Sequence, residues 1–260
     1  MAPSAGDRGV SAHRRDQVVI LAGGLGTRML PRTERIPKIL LPVAGRPFAA
    51  WLLERLAAAG FDEALLCIGH LGEEVRRVVG DGSAFGLAVR YAEDGEKLLG
   101  TAGALRRTLD ALEPTFLVTY GDSYLPFDYR APLRDLRAHG EALGTMAVFE
   151  NDDRFDPSNT EVLGERVVRY EKRKAGTPRD PGVRYIDYGA TALRREVIAA
   201  IPEGEARDLS SVQRELASLG RLRALGAERR FFEIGSELGL ADLEAELHGD
   251  NNIASGVPSS

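Results

Sequence analysis

Gln17-Val18-Val19-Ile20-Leu21-Ala22-Gly23-Gly24-Leu25-Gly26-Thr27-Arg28 passes without a break from an apolar run into a glycine-rich turn that ends on an arginine. An uninterrupted apolar run of this length predicts a strand buried on both faces. The three glycines after it let the backbone pass close to a ligand, and their N–H groups can converge on phosphate oxygens. Arg28 adds a planar, two-pronged phosphate clamp. Arg32, Arg35 and Lys38 follow closely, so the segment reads as a cradle for a triphosphate. It is not a P-loop, because the Gly-Lys-Ser/Thr ending is missing, and not a dinucleotide fingerprint, because Met29 stands where a third small residue belongs. A plain glycine-rich β-turn is the alternative. Its position at a strand's carboxyl end, among basic residues, weighs against that.

Outward from this point, strand-length apolar runs alternate with helical periodicity. Pro47 to Leu56 reads as a helix with Phe48, Trp51, Leu52 and Leu56 on one face, started by Pro47 and stopped by Gly60. The alternation continues through strand 64–69, helix 72–79, strand 87–92, helix 101–112 and strand 115–120. Repeated βαβ units predict an α/β fold, a Rossmann-like three-layer sandwich with a mostly parallel central sheet and its ligand site beyond the carboxyl ends of the strands. From about 145 the pattern changes to strands 145–149, 166–172 and 184–192 joined by loops, then helices 194–200 and 208–219, strand 230–234 and helix 237–248. One domain over 16–249 is expected, with a first half at about 16–144 and a mixed second half at about 145–249 that completes the site. Residues 1–15 and 250–260, rich in turn formers and small polar residues, read as disordered tails.

With 260 residues, 43% hydrophobic and 28% charged, the chain can bury one large core. A net charge of −5 argues against a nucleic-acid partner. No run approaches the length of a membrane span, and the start of the chain carries no apolar leader segment. The single cysteine, Cys67, lies in an apolar run and reads as a buried, inert thiol. Together these predict a cytoplasmic protein with no membrane partner, a monomer or a homodimer.

The glycine stretch together with Pro37-Lys38-Ile39-Leu40-Leu41-Pro42-Val43-Ala44-Gly45-Arg46-Pro47 resembles the bipartite signature of the sugar-1-phosphate nucleotidyltransferase family. The resemblance extends from about 17 to 245. It implies the nucleotide-diphospho-sugar transferase type of fold, and a reaction in which a nucleoside triphosphate and a sugar 1-phosphate give a nucleotide sugar and pyrophosphate. It assigns the nucleotide to Leu21, Ala22, Gly23, Gly24, Gly26 and Thr27, and the reacting phosphates to Arg28 and Lys38. Leu99-Gly100-Thr101-Ala102-Gly103 is similar to the family's segment that meets base and ribose, implying roles for Gly100 and Thr101. Thr101 also reads as an N-cap of the helix that follows.

The buried run Phe116 to Tyr120 ends in Gly121-Asp122, which places a carboxylate at the carboxyl edge of a strand. By resemblance Asp122 is a catalytic magnesium ligand, and Phe232-Glu233-Ile234-Gly235 matches the motif that supplies the second one. Glu233 stands where the family has Asp, and the added methylene shifts its reach by about a bond length. For the sugar phosphate, Glu171-Lys172 resembles the family's Glu-Lys pair, and Asp187-Tyr188-Gly189 its Asn-x-Gly segment with Asp in place of Asn. That exchange removes donors and adds charge, which suits a sugar rich in hydroxyls.

A phosphate ester has a second pKa of about 6, so the attacking oxygen is already largely deprotonated at neutral pH and no catalytic base is needed. His13, His70, His139 and His248 accordingly fall in no catalytic constellation. The chain most resembles compact family members that activate heptose or mannose 1-phosphates with GTP. Uridylyl, cytidylyl or thymidylyl transfer, and a non-catalytic nucleotide-sugar-binding regulator, are the alternatives.

Overall fold

Strand β1 (Gln17–Leu21) runs through the interior with Val18, Val19 and Ile20 fully buried in the computed structural model, which describes residues 16–95, 97–173 and 176–254. Val18 and Ile20 point into one apolar cluster and Val19 into another on the opposite face. Period-two alternation with both faces apolar is what a strand between two helical layers requires.

After β1 come the short ribbon β2 (Pro42–Val43) and β3 (Arg46–Pro47), α1 (Phe48–Ala58), β4 (Glu63–Ile68), α2 (Gly72–Val79), β5 (Ala88–Glu93), α3 (Gly100–Arg107) and β6 (Thr115–Tyr120). The second half holds β7 (Ser123–Tyr124), α4 (Ala131–Ala138), β8 (Gly144–Glu150), β9 (Thr160–Leu163), β10 (Arg166–Tyr170), β11 (Tyr185–Arg194), α5 (Arg195–Ala199), α6 (Leu209–Ser218), β12 (Leu222–Ala227), β13 (Phe232–Glu233) and α7 (Glu237–Ala254). Residues of α1, α2, α4 and α7 share the first cluster, and those of α3, α5 and α6 the second. Two helical layers therefore enclose the sheet.

The nine-stranded sheet has the order β5-β4-β1-β6-β11-β8-β12-β10-β9. Its first four strands are parallel. Beyond them β11 is antiparallel to both β6 and β8, β12 is parallel to β8, and β10 and β9 are antiparallel. The expectation of a mostly parallel sheet thus holds for the first half only; the sheet as a whole is mixed. The cause is the connections: parallel neighbours need a crossover helix, whereas β9 and β10 are joined by the tight Gly164-Glu165 turn and must run antiparallel.

Elements α4, β9 and β12, and the two-residue strands β2, β3 and β7, have no counterpart among the predicted ones. In α4 only Leu133 and Leu136 are buried aliphatics, a signal too short to read. In β12 a charged residue, Arg223, is almost completely buried. It is tolerated because Asp135 of α4 grips the guanidinium at 2.8 and 3.0 Å and Glu165 takes it at 3.0 Å. The strand expected over 230–234 shrinks to the two residues of β13, and α3 ends at Arg107 with a separate helical turn over 109–111. The last helix continues to Ala254, past the 249 at which a tail was expected. Residues 1–15 and 255–260, the rest of the expected tails, lie outside the described residues. Among the described residues no helix is long and apolar enough to cross a membrane.

Thr101 does not cap its own helix. Its hydroxyl accepts the N–H of Leu209, the first residue of α6, at 2.7 Å. Alongside, Arg207 accepts from Ala102 and Gly103 through its carbonyl and donates through its N–H to Leu99. The two halves of the chain are stitched together at the start of α3 and α6. Thr101→Val, which keeps shape and removes the acceptor, is expected to cost about 1 kcal/mol, the worth of an N-terminal cap. The urea midpoint measures it; an unchanged midpoint would mean that the bond contributes nothing.

Candidate active site

The carboxyl ends of β5, β4, β1 and β6 open onto one cleft of about 420 Å³. The turn after β1 forms its floor. Gly23 is packed closely: a Cβ there would stand 1.7 Å from an Asp94 carboxylate oxygen, so a larger residue would have to push the Asp94 side chain aside. Gly26 takes the left-handed conformation, with φ of 64°, and its carbonyl accepts the Thr33 hydroxyl at 2.9 Å. The loop is therefore held in shape while Gly24, Leu25 and Thr27 remain exposed on it.

Arg28, Lys38 and Asp122 line the same cleft. Lys38 Nζ donates to Asp122 Oδ2 at 2.5 Å, and the Ser123 hydroxyl donates to Oδ1 at 3.3 Å. Arg28 is exposed and keeps its guanidinium available. Its Nη2 and Lys38 Nζ both come within 3.1–3.2 Å of where a Cβ on Gly235 would stand, so the two cations meet at the same point of the 232–235 segment.

That segment reaches the site through the β7–β13 ladder. Glu233 is paired with Ser123, and the Ile234 N–H donates to the Asp122 carbonyl at 3.0 Å. Burial, then the charges of Asp122 and Asp156, hold the Glu233 carboxyl well above the usual carboxylate range, while Lys38 and Arg28 act the other way. Two acids brought together by the β7–β13 ladder and offering only oxygen donors fit a magnesium-type cation. Such an ion takes one or two carboxylates and fills its shell with water and phosphate oxygens.

At the other end of the cleft, Leu98, Leu99, Ala104 and Leu21 make an apolar wall with Gly100 and Thr101 beside it. Three acidic or phenolic residues that sequence reasoning had not singled out also line the cleft: Asp94, Tyr120 and Asp208. Asp94 follows β5 as Asp122 follows β6, so the rule that sites form beyond strand ends would have found it. Burial raises its carboxyl and the Arg107 charge works against that rise. Asp208 precedes α6 and arrives only through the docking of α6 on α3. Cys67 lies under the cleft with its thiol pushed up to about 12 by burial and the Asp94 charge, which keeps it protonated and inert.

The predicted sugar-phosphate residues stand apart from this cleft. β11 runs antiparallel beside β6 with Ala190 opposite Thr119, which carries Asp187 to the same rim as Asp122. Gly189, with φ of 93°, turns its N–H onto Asp187 Oδ1 at 3.0 Å. Tyr120 separates this pair from the cleft: after burial, the charges of Asp187, Asp122, Glu233 and Asp208 all push its hydroxyl up. Glu171 and Lys172 are exposed just beyond β10, with Lys172 close enough to favour the charged form of Asp187. The structure thus brings Leu21 to Arg28, Lys38, Gly100, Thr101 and Asp122 around one cavity, sets Glu233 against it, and leaves Glu171, Lys172, Asp187 and Gly189 on its far side.

Residues 17–158 match the family model described as nucleotidyl transferase. The N-acetylmuramate alpha-1-phosphate uridylyltransferase of Neisseria meningitidis is 35% identical over 158 residues, 60% of this chain and 68% of that protein. The mannose-1-phosphate guanylyltransferase of Mycobacterium tuberculosis is 33% identical over 211 residues, 80% of this chain and 55% of that protein. The chain spans about half the length of such longer relatives. Among solved structures, HddC from Yersinia pseudotuberculosis complexed with GMP-PN shares the fold with a TM-score of 0.72 at 24% identity, covering 89% of this chain and 99% of that one.

Proposed function

Because the chain belongs to the nucleotidyl transferase family, we propose that it transfers a nucleoside monophosphate from a triphosphate to a sugar 1-phosphate, with pyrophosphate as the second product. The observation that carries this is the convergence of Arg28, Lys38 and Asp122 on one cleft floored by the glycine loop. The loop's N–H groups and Arg28 bind the triphosphate, and Lys38 neutralises charge at the attacked phosphorus. The sugar phosphate is its own nucleophile, so the protein's contribution is to align two polyanions and screen them from each other. Asp122 and Glu233 would hold Mg²⁺, which supplies further positive charge to the phosphates when bound.

For the base we propose guanine. A nucleotide with its α-phosphate over β6 carries its base along the cleft past Gly23, where the Asp94 carboxylate reaches in from the end of β5. A carboxylate accepts best from two adjacent donors, and guanine alone presents them, at N1 and N2; uracil and thymine flank their single N–H with carbonyls that a carboxylate repels. Guanylyltransferases for mannose and for D-glycero-α-D-manno-heptose 1-phosphate are among the relatives, which supports a heptose- or mannose-type acceptor. Asp94→Asn is expected to reduce the GTP-over-UTP ratio of kcat/KM at least tenfold, since one well-made pairing to a base edge is worth ~1–3 kcal/mol. An unaltered ratio removes Asp94 from base recognition.

Pyrophosphate release across four triphosphates and a panel of sugar 1-phosphates tests the whole reading. Fastest release with GTP and a manno-configured sugar is expected. Faster release with UTP, CTP or dTTP would replace the base, and nucleotide binding without Mg²⁺-dependent release across the panel would make the chain a regulator instead of an enzyme.

A further inference from the structure

On the far side of Tyr120 from the glycine loop lies a buried polar cluster built on Asp187. Its Oδ1 accepts from Gly189 N–H at 3.0 Å, and its Oδ2 from the Tyr170 hydroxyl at 3.2 Å and from Gln213 Nε2 at 3.3 Å. Gln213 belongs to α6 and is 1% exposed. Its Nε2 also lies 3.0 Å from Thr191 Oγ1 and 3.4 Å from Met146 Sδ, more acceptors than its two hydrogens serve, while its Oε1 is buried with no partner.

A buried amide with an orphaned carbonyl is a poor structural element, because leaving a buried acceptor unmade is unfavourable and an apolar side chain of the same shape would avoid it. What the amide does achieve is to fix one oxygen of Asp187. The helix that carries it is fastened elsewhere: Leu209, one turn earlier, is held by Thr101, and Arg207 by Leu99, Ala102 and Gly103. Gln213 therefore reaches Asp187 from a support rooted in the nucleotide side of the cleft.

We propose that Gln213 is a positioning residue for the sugar 1-phosphate, acting through Asp187: it holds the carboxylate so that the remaining lone pairs of Asp187 face the hydroxyls of the incoming sugar. This rests on the reading that Asp187 faces the sugar. Tyr170 and Gly189 fix the other directions of the carboxylate, Tyr120 stands between it and the cleft, and Lys172 is the cation acting on it.

Gln213→Met keeps the volume and removes both the donor and the orphaned carbonyl. The KM for the sugar 1-phosphate is expected to rise about tenfold, equivalent to about 1.4 kcal/mol, with kcat and the KM for the triphosphate within about twofold of wild type. In a double-mutant cycle with Asp187→Ala, adding Gln213→Met should have no further effect, because either change alone removes the interaction. Gln213→Leu, smaller and apolar, repeats the measurement should the methionine not fit. An unshifted sugar KM, an equal rise in both KM values, or additive effects in the cycle would overturn the role of Gln213 while wild-type turnover leaves the reaction standing. A wild-type protein that releases no pyrophosphate with any sugar 1-phosphate overturns the reaction, and this role with it.

Discussion

Asp122→Asn is expected to lower turnover about a thousandfold in a protein that still folds. A preorganised group that compensates charge in the transition state is worth 10²–10³ or more in kcat, and Asp122 is held by Lys38 and acts on the second carboxylate, Glu233. The fold makes little use of its charge. The bond that joins β13 to this strand end is made by the Asp122 carbonyl, and an asparagine oxygen can still accept from Lys38. Loss of the charged partner should therefore cost about 1–2 kcal/mol, small beside the ~5–15 kcal/mol that holds a domain together. Pyrophosphate release and a urea melt on the same preparation separate the two effects. Wild-type turnover in the folded variant would remove Asp122 from the chemistry, and loss of turnover together with the fold would make its role structural.

Arg28→Ala should lower kcat/KM for the triphosphate about a hundredfold and leave stability within about 0.5 kcal/mol. The contrast comes from where the guanidinium sits: it is exposed, it lines the cleft, and its cationic end lies beside Gly235 and Lys38 without a place in the core. Arg28→Lys should recover only part of the loss, because an ammonium brings the charge without the planar pair of donors that matches a phosphate. Saturation with sugar 1-phosphate should be little affected by either change. An Arg28→Ala protein with unaltered use of triphosphate would reduce the glycine loop to a turn.

Much of the nucleotide end was legible from residues alone. The apolar run of β1, the glycines behind it and the basic residues that follow are a local requirement: a buried parallel strand needs apolar residues in succession, and a backbone that presents its N–H groups to phosphate needs glycine. Asp122 and Asp94 were reachable by the same logic, since a carboxylate at the end of a central strand lies on the ligand-binding rim. The second half was less legible because its strands are short, its connections are loops, and its charged residues have unexpected places. Arg223 inside β12 makes sense only once Asp135 is seen beside it.

By itself, then, the sequence determined the α/β alternation, the glycine-rich turn after β1 and the family signature, all of which are written in consecutive residues and in backbone constraints that act over a turn or a strand. Tertiary structure alone decided that the sheet is mixed, that β13 lays Glu233 against Asp122, that Thr101 serves α6 in place of its own helix, that Asp208 reaches the cleft, and that Gln213 meets Asp187. Each of these depends on which distant segments share a face or a ladder. Hydrogen bonds and charge–charge effects fall away within a few ångströms, so they are fixed by the packing of segments that the order of residues leaves far apart.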